Sequence, residues 1–205
     1  MTPVIRTSLA AIALAVASAI SGCGSLIQVR SFVHPETDFS FYQKVALMPF
    51  GNQTEDRLAG EKVTEHFLTE LLIAGEELQV MDPGQFRAVV AQVTRNNAPG
   101  SISDLSPKQI SQIAEVAGVQ GILTGIVHEA KLTQLGGEQY PFLSVTFKFI
   151  DGPTGTVVWQ SSVSASGGPN LPIVSIGETF TVAQLSQKLC RSAANEFFRK
   201  TKAKE

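Results

Sequence analysis

Leu143-Ser144-Val145-Thr146-Phe147-Lys148-Phe149 alternates apolar and polar side chains, and the turn Asp151-Gly152-Pro153-Thr154-Gly155 follows it closely. Beyond the turn, Val157, Trp159 and Val163 keep a period of two. Side chains two residues apart on a strand share a face. Two such runs about a short turn predict an antiparallel hairpin with one buried face. Leu143, Val145, Phe147 and Phe149 belong to that face, with Val157, Trp159 and Val163 beside them; Ser144, Thr146 and Lys148 point away. A further strand, Gln120 to Leu132, precedes the hairpin and completes a three-stranded meander.

Upstream the pattern changes. Lys44 to Phe50 is a short apolar run ended by Gly-Asn, which predicts a buried strand. Ala59, Val63, Phe67, Leu71 and Leu72 recur at helical spacing, with Glu61, Lys62, Glu65 and Glu70 expected on the solvent face and Gly75 at the helix end. A short strand is expected at Leu78–Met81. Asp82-Pro83, with Gln85 behind it, opens a second helix whose stripe is Phe86, Val89, Val90 and Val93. Thr94 to Leu105 reads as a polar loop. Ser106-Pro107-Lys108-Gln109 repeats the capping signal before a third helix with Ile110, Ile113, Ala114 and Ala117, ended by Gly118. After the meander, Val182, Leu185, Leu189, Ala193 and Phe197 form the stripe of a final helix. The order β-α-β-α-α-β-β-β-α predicts one α/β (α+β) domain over residues 41–200: a mixed sheet with a C-terminal antiparallel meander and helices packed on it.

The chain has 205 residues, a net charge of −2 and 43% hydrophobic residues. That balance excludes a basic nucleic-acid binder, and the apolar fraction argues against disorder. Two cysteines, Cys23 and Cys190, exclude a disulfide scaffold and a four-cysteine zinc site.

Part of the apolar excess is an address. Residues 1–22 carry one charged side chain, Arg6, and a twelve-residue apolar run, Leu9 to Ile20. A spanning helix needs about 20 such residues, whereas this run has the length of a signal-peptide core. Ile20-Ser21-Gly22-Cys23 follows, and it resembles the lipobox of bacterial lipoproteins. Small residues let a peptidase reach the backbone, and the thiol takes the diacylglyceryl group. Cys23 is thus expected to be residue 1 of the mature protein, acylated in the manner of palmitate-bearing lipoproteins. Gly24, rather than Asp, follows it; by analogy with Gram-negative sorting, that indicates the outer membrane. Two or more acyl chains anchor stably, so outer-membrane lipid is an expected partner. Cleavage leaves 183 residues and a net charge of −3, because Arg6 is lost. Residues 23–40 are expected to be the lipidated cysteine and a tether, part of it packing on the domain. Residues 201–205 are expected to be a basic tail, following Arg199 and Lys200 at a helix C-terminus that suits cations.

A search for chemistry is mostly negative. His34, His66 and His128 are far apart, without an H-x-x-x-H pair or a Cys-x-x-Cys. His66, four residues from both Lys62 and Glu70, reads as part of a solvated helix face; His128, beside Glu129, reads as structural or exposed. There is no G-x-S-x-G elbow, S-x-x-K pair, Walker A loop or G-x-G-x-x-G. Gly121, Gly125, Gly136 and Gly137 lack phosphate-binding spacing and mark a strand start, a close backbone approach and a turn. Glu76-Glu77 are adjacent in a turn, which splays them apart and makes a weak acid/base pair. Cys190, near the last helix's stripe, is expected to be buried, with an intermolecular disulfide as the alternative. No catalytic residue, metal or cofactor is expected. The loop Gly167–Gly177 holds Leu171, Ile173, Val174 and Ile176; it either folds back on the sheet or contacts a partner, since exposed apolar patches mark interfaces.

Several of these segments resemble a known group. Lys44-Val45-Ala46-Leu47-Met48-Pro49-Phe50, then Asn52, Thr54 and Asp56, then Gly60 opening a helix, resemble the start of the CsgG/LpoB group, whose fold is similar to the TolB N-terminal domain. Gln120 to Gly125 looks like that group's strand after the third helix. Val145 to Asp151, Thr154-Gly155 and Val157-Val158-Trp159 look like its closing hairpin. The resemblance implies an envelope lipoprotein with one of three jobs: a curli-secreting outer-membrane channel like CsgG, an activator of a peptidoglycan synthase like LpoB, or another periplasmic role. A CsgG-type pore needs inserted spanning hairpins of roughly 9–11 residues per strand. Thr94–Leu105 and Gly167–Gly177 are too short and do not alternate. LpoB has a long disordered linker, and here the tether is short. The expected function is a non-catalytic outer-membrane lipoprotein whose domain faces the periplasm. It would act through protein contacts, as a homo-oligomer or in an envelope assembly with an unidentified protein partner. The alternative is LpoB-like activation of a peptidoglycan synthase.

Overall fold

The computed structural model describes residues 27–95, 102–135, 137–168 and 179–202. Its centre is one mixed sheet of seven strands: β1 (Ile27–Val33), β2 (Lys44–Leu47), β3 (Gly51–Asn52), β4 (Gln79–Met81), β5 (Gly121–Leu135), β6 (Glu138–Asp151) and β7 (Val157–Ser166). Four α-helices pack on it: α1 (Ala59–Ala74), α2 (Pro83–Val93), α3 (Pro107–Ala117) and α4 (Val182–Lys202). The strands lie in the order β1-β7-β6-β5-β2-β4, with β3 pairing with β5 off this path. β4, β2 and β5 run parallel, joined by crossovers; β5, β6, β7 and β1 are antiparallel. The expected element order holds, with β1 and β3 added to it.

Part of the stretch expected to be a tether packs on the domain, as β1. Ile27–Val33 lies in the stretch read as tether, and it pairs along its whole length with β7, from Ile27 opposite Ala165 to Val33 opposite Trp159. Ile27, Val29 and Val33 pack on the main core, and the Ser31 hydroxyl donates to Glu196 of α4 at 2.6 Å. At the other end α4 runs through Lys202, with Thr201 buried, so the expected tail boundary at 201 falls inside the helix.

Two cores flank the sheet. On one face α1 and α4 cover Leu47, Leu123, Leu143, Val145, Phe147, Phe149, Trp159 and Val163. On the other, α2 and α3 cover β2, β5 and the end of β6, over Ala46, Ile122 and Ile150. The hairpin behaves as its alternation predicts, except at Val157. A β-bulge lies between Phe149 and Ile150, and a bulge adds a residue that breaks the period. Val157 is therefore exposed, and Val158 is buried instead.

Helices α2 and α3 form where their capping residues say they should. The Asp82 carboxylate accepts from the Gly84 and Gln85 N–H groups. Ser106 and Gln109 exchange both bonds of a capping box, and Gly118 takes the left-handed conformation (φ 63°) at the end of α3. Two expectations for α1 fail: Leu72 is exposed, and Glu70 is buried. Glu70 accepts two bonds from the Arg191 guanidinium of α4, at 3.1 and 3.2 Å. Nothing local to α1 announces a partner 121 residues away. In the stretch read as a polar loop, Ile102 starts a 3-10 turn and is fully buried.

Candidate functional site

The residues behind the resemblance have structural work. Asn52 Oδ1 accepts from the Thr54 N–H and hydroxyl at 3.0 and 2.8 Å, and Asp56 Oδ1 accepts from the Leu58 N–H at 3.0 Å. This turn feeds α1. A Cβ at Gly60 would lie 2.6 Å from the Phe50 carbonyl oxygen, so glycine lets the helix start against the strand. Gly125 similarly faces Phe50 and the Thr146 carbonyl at 2.6 and 2.7 Å from a notional Cβ, as its reading as a close approach anticipates.

The sequence-selected histidines do not come together. His66 is half-buried rather than solvated, and its Nδ1 lies 2.9 Å from the Ser186 hydroxyl. Burial pulls its pKa below the usual histidine value, opposed by Glu65 and Glu70. His128 is exposed, 2.9 Å from Gln53 Oε1 and 3.0 Å from the Thr146 hydroxyl. Cys190 is a free, fully buried thiol; burial pushes its pKa far above the ordinary thiol range. Among the described residues no cluster of side chains suits a metal ion. No described helix is long and apolar enough to cross a membrane. Cys23 and the loop residues Leu171, Ile173, Val174 and Ile176 lie outside the described residues.

The feature that sequence reading missed is a groove of about 590 Å³ at the Val33 end of the sheet. Its floor comes from separate elements: Phe39 and Tyr42 before β2, Phe149 on β6, and Phe197 and Phe198 on α4. The rings pack edge to face. Tyr42 and Phe149 have centroids 4.7 Å apart, Phe149 and Phe197 5.3 Å, and Phe197 and Phe198 5.2 Å. Below them Phe197 meets Trp159 at 5.1 Å. Gly75 admits the Phe198 ring, which a Cβ would meet at 2.5 Å.

The groove's polarity is one-sided. Glu76 and Glu77 sit exposed on its rim. The Tyr42 hydroxyl donates to Asp151 at 2.9 Å. Burial, aided by that carboxylate, raises the phenol's pKa, so it remains a donor. Asp151 also accepts from the Thr154 N–H and hydroxyl, at 2.9 and 2.5 Å, which ties the hairpin turn to the groove wall. The two glutamates, a weak acid/base pair by sequence, here border an aromatic floor. That arrangement can hold an apolar side chain flanked by a cation.

Known structures share this fold. The PelC dodecamer from Paraburkholderia phytofirmans matches with a TM-score of 0.55 at 20% identity, covering 82% of this chain and 94% of that one. The hypothetical protein CT253 from Chlamydia trachomatis matches at 0.51 and 14%, covering 76% and 95%. Lipoprotein GNA1162 from Neisseria meningitidis matches at 0.50 and 16%, covering 76% and 98%. At these identities the likeness speaks for the fold alone. No curated protein matches the sequence. The family model described as peptidoglycan-synthase activator LpoB matches residues 16–164, from the N-terminal apolar run to the closing residues of β7. It takes the LpoB side of the resemblance and lends the CsgG side no support. The chain belongs to the LpoB family.

Proposed function

We propose that this protein is an outer-membrane lipoprotein, anchored through acylated Cys23, that activates a peptidoglycan synthase by binding it in the periplasm. The observation that carries this reading is the family match over residues 16–164. The aromatic groove with its Glu76–Glu77 rim is the surface we set against the synthase, at a segment carrying an apolar side chain beside Lys or Arg. Aromatic pockets bordered by charge suit such anchors. The protein contributes contacts and no chemistry of its own.

The test uses the soluble Cys23→Ser form with the peptidoglycan synthases of the source bacterium. We expect one of them to be bound and its glycan polymerisation to accelerate. Reversing the rim with Glu76→Lys and Glu77→Lys should weaken binding at least tenfold while the fold melts normally. Failure to bind or stimulate any of the synthases would reject activation. Binding undisturbed by the rim change would reject the groove. A homo-oligomer in an envelope assembly is the competing reading; light scattering of the same preparation measures it directly.

A further inference from the structure

Ile27, the first residue of β1, and the groove lie at opposite ends of the sheet. β1 starts at Ile27, in a row that crosses Ala165 of β7, Leu143 of β6 and Ala130 of β5. β1 then runs to Val33, beside Trp159 and Phe149, where the groove opens. The described chain therefore begins at the end of the sheet away from the groove.

β5 and β6 do not stop at that row. They stay paired for five more rows, from Lys131 opposite Phe142 to Leu135 opposite Glu138. At about 3.4 Å per residue this arm projects roughly 17 Å past the start of β1. It projects beyond Ile27 at the end of the sheet away from the groove. Between Cys23 and Ile27 there are four residue steps, which span at most about 14 Å. The arm is thus at least as long as the tether that would hold the domain to the membrane.

We infer that the β5–β6 arm is a foot that rests on the phospholipid surface and sets the domain upright, groove outward. The inference rests on acylation of Cys23. Among the arm's exposed and mostly polar side chains, Leu132 is apolar. Leu132 is 54% exposed, and Phe180, 52% exposed, stacks on Tyr140 at 6.0 Å beside the arm. Aromatic and aliphatic side chains settle at the headgroup boundary. Lys131 pairs with Glu129 and lies 5.7 Å above the Phe142 ring, and Glu138 adds a negative charge at the tip. The arm so carries no cationic excess, and the contact does not depend on lipid charge.

The experiment takes the acylated full-length protein in vesicles of phosphatidylethanolamine and phosphatidylglycerol. An environment-sensitive dye is attached at Leu132→Cys or, separately, at Val157→Cys on the opposite end. The native Cys190 is fully buried and escapes labelling. We expect the dye at 132 to shift to the blue and lose at least half its emission to brominated lipid. The dye at 157 should remain aqueous. Vesicles of phosphatidylcholine should give the same result. Flotation of the protein with both dyes in water would overturn the foot while leaving the anchor standing. Protein that fails to float would overturn the anchor and the foot together. A blue shift at 132 in detergent without quenching by brominated lipid would overturn it in favour of contact with a second copy.

Discussion

Ser161 is fully buried on the core face of β7, and its hydroxyl has no hydrogen-bond partner. A buried polar group left unpaired destabilises the fold by about 1–3 kcal/mol, more than the small void left by removing one oxygen. Ser161→Ala should therefore stabilise the protein by about 1 kcal/mol, raising Tm by about 2–4 °C in thermal melts for a domain of this size. A lower Tm would show that the hydroxyl is satisfied. His66 presents the opposite case. Burial lowers its pKa below the ordinary 6.5. Above that pH the imidazole is neutral in both states. As pH falls through it, the unfolded chain binds the proton first, and stability is lost. The carboxylates whose pKa values are lowered, Asp38, Asp56 and Glu196, lose their contribution only below the ordinary carboxylate range. Tm should thus fall between pH 7.5 and 5 in the native protein, and the slope should be shallower in His66→Gln. Equal slopes would refute the assignment to this residue.

At the scale of elements, the helix signals and the hairpin were legible because they are local. A cap and its first turn are three residues apart, and an alternating strand announces its own face. The pairing of α1 with α4 was not legible. Glu70 reads as a surface residue until Arg191 arrives from the last helix. A buried carboxylate without its partner is strongly unfavourable, while an apolar replacement of the pair is tolerated. Arg191→Ala should lower Tm, and adding Glu70→Leu should restore much of the loss. A double variant less stable than Arg191→Ala alone would contradict this account. The bulge at Phe149–Ile150 was equally hidden, because one inserted residue changes the partner strand's phase without altering its composition.

For the whole molecule, the main revision concerns reach. Residues 24–40 as a free tether would extend to about 60 Å. Ile27–Val33 is instead a strand of the sheet, which shortens the stretch that could serve as a tether. On the proposed anchoring at Cys23, a synthase activated by this protein would have to come to a domain held close to its membrane. Acylation itself is checked by labelled palmitate: the native protein should incorporate it and partition with outer-membrane lipid, and Cys23→Ser should do neither. A soluble native protein would contradict the anchor. The groove, unlike the anchor, required the folded chain. Phe39, Phe149 and Phe197 are separated by more than a hundred residues at their extremes, and each alone reads as ordinary core.

By itself the sequence determined the elements and the mixed sheet, and it proposed the address at Cys23. Periodicity, capping and a peptidase signal are all written over a few consecutive residues. The tertiary structure alone decided that β1 belongs to the sheet, that Glu70 faces inward, and that an aromatic groove opens at the Val33 end of the sheet. Each depends on contacts between distant segments, and no local pattern encodes which distant segment a side chain will meet.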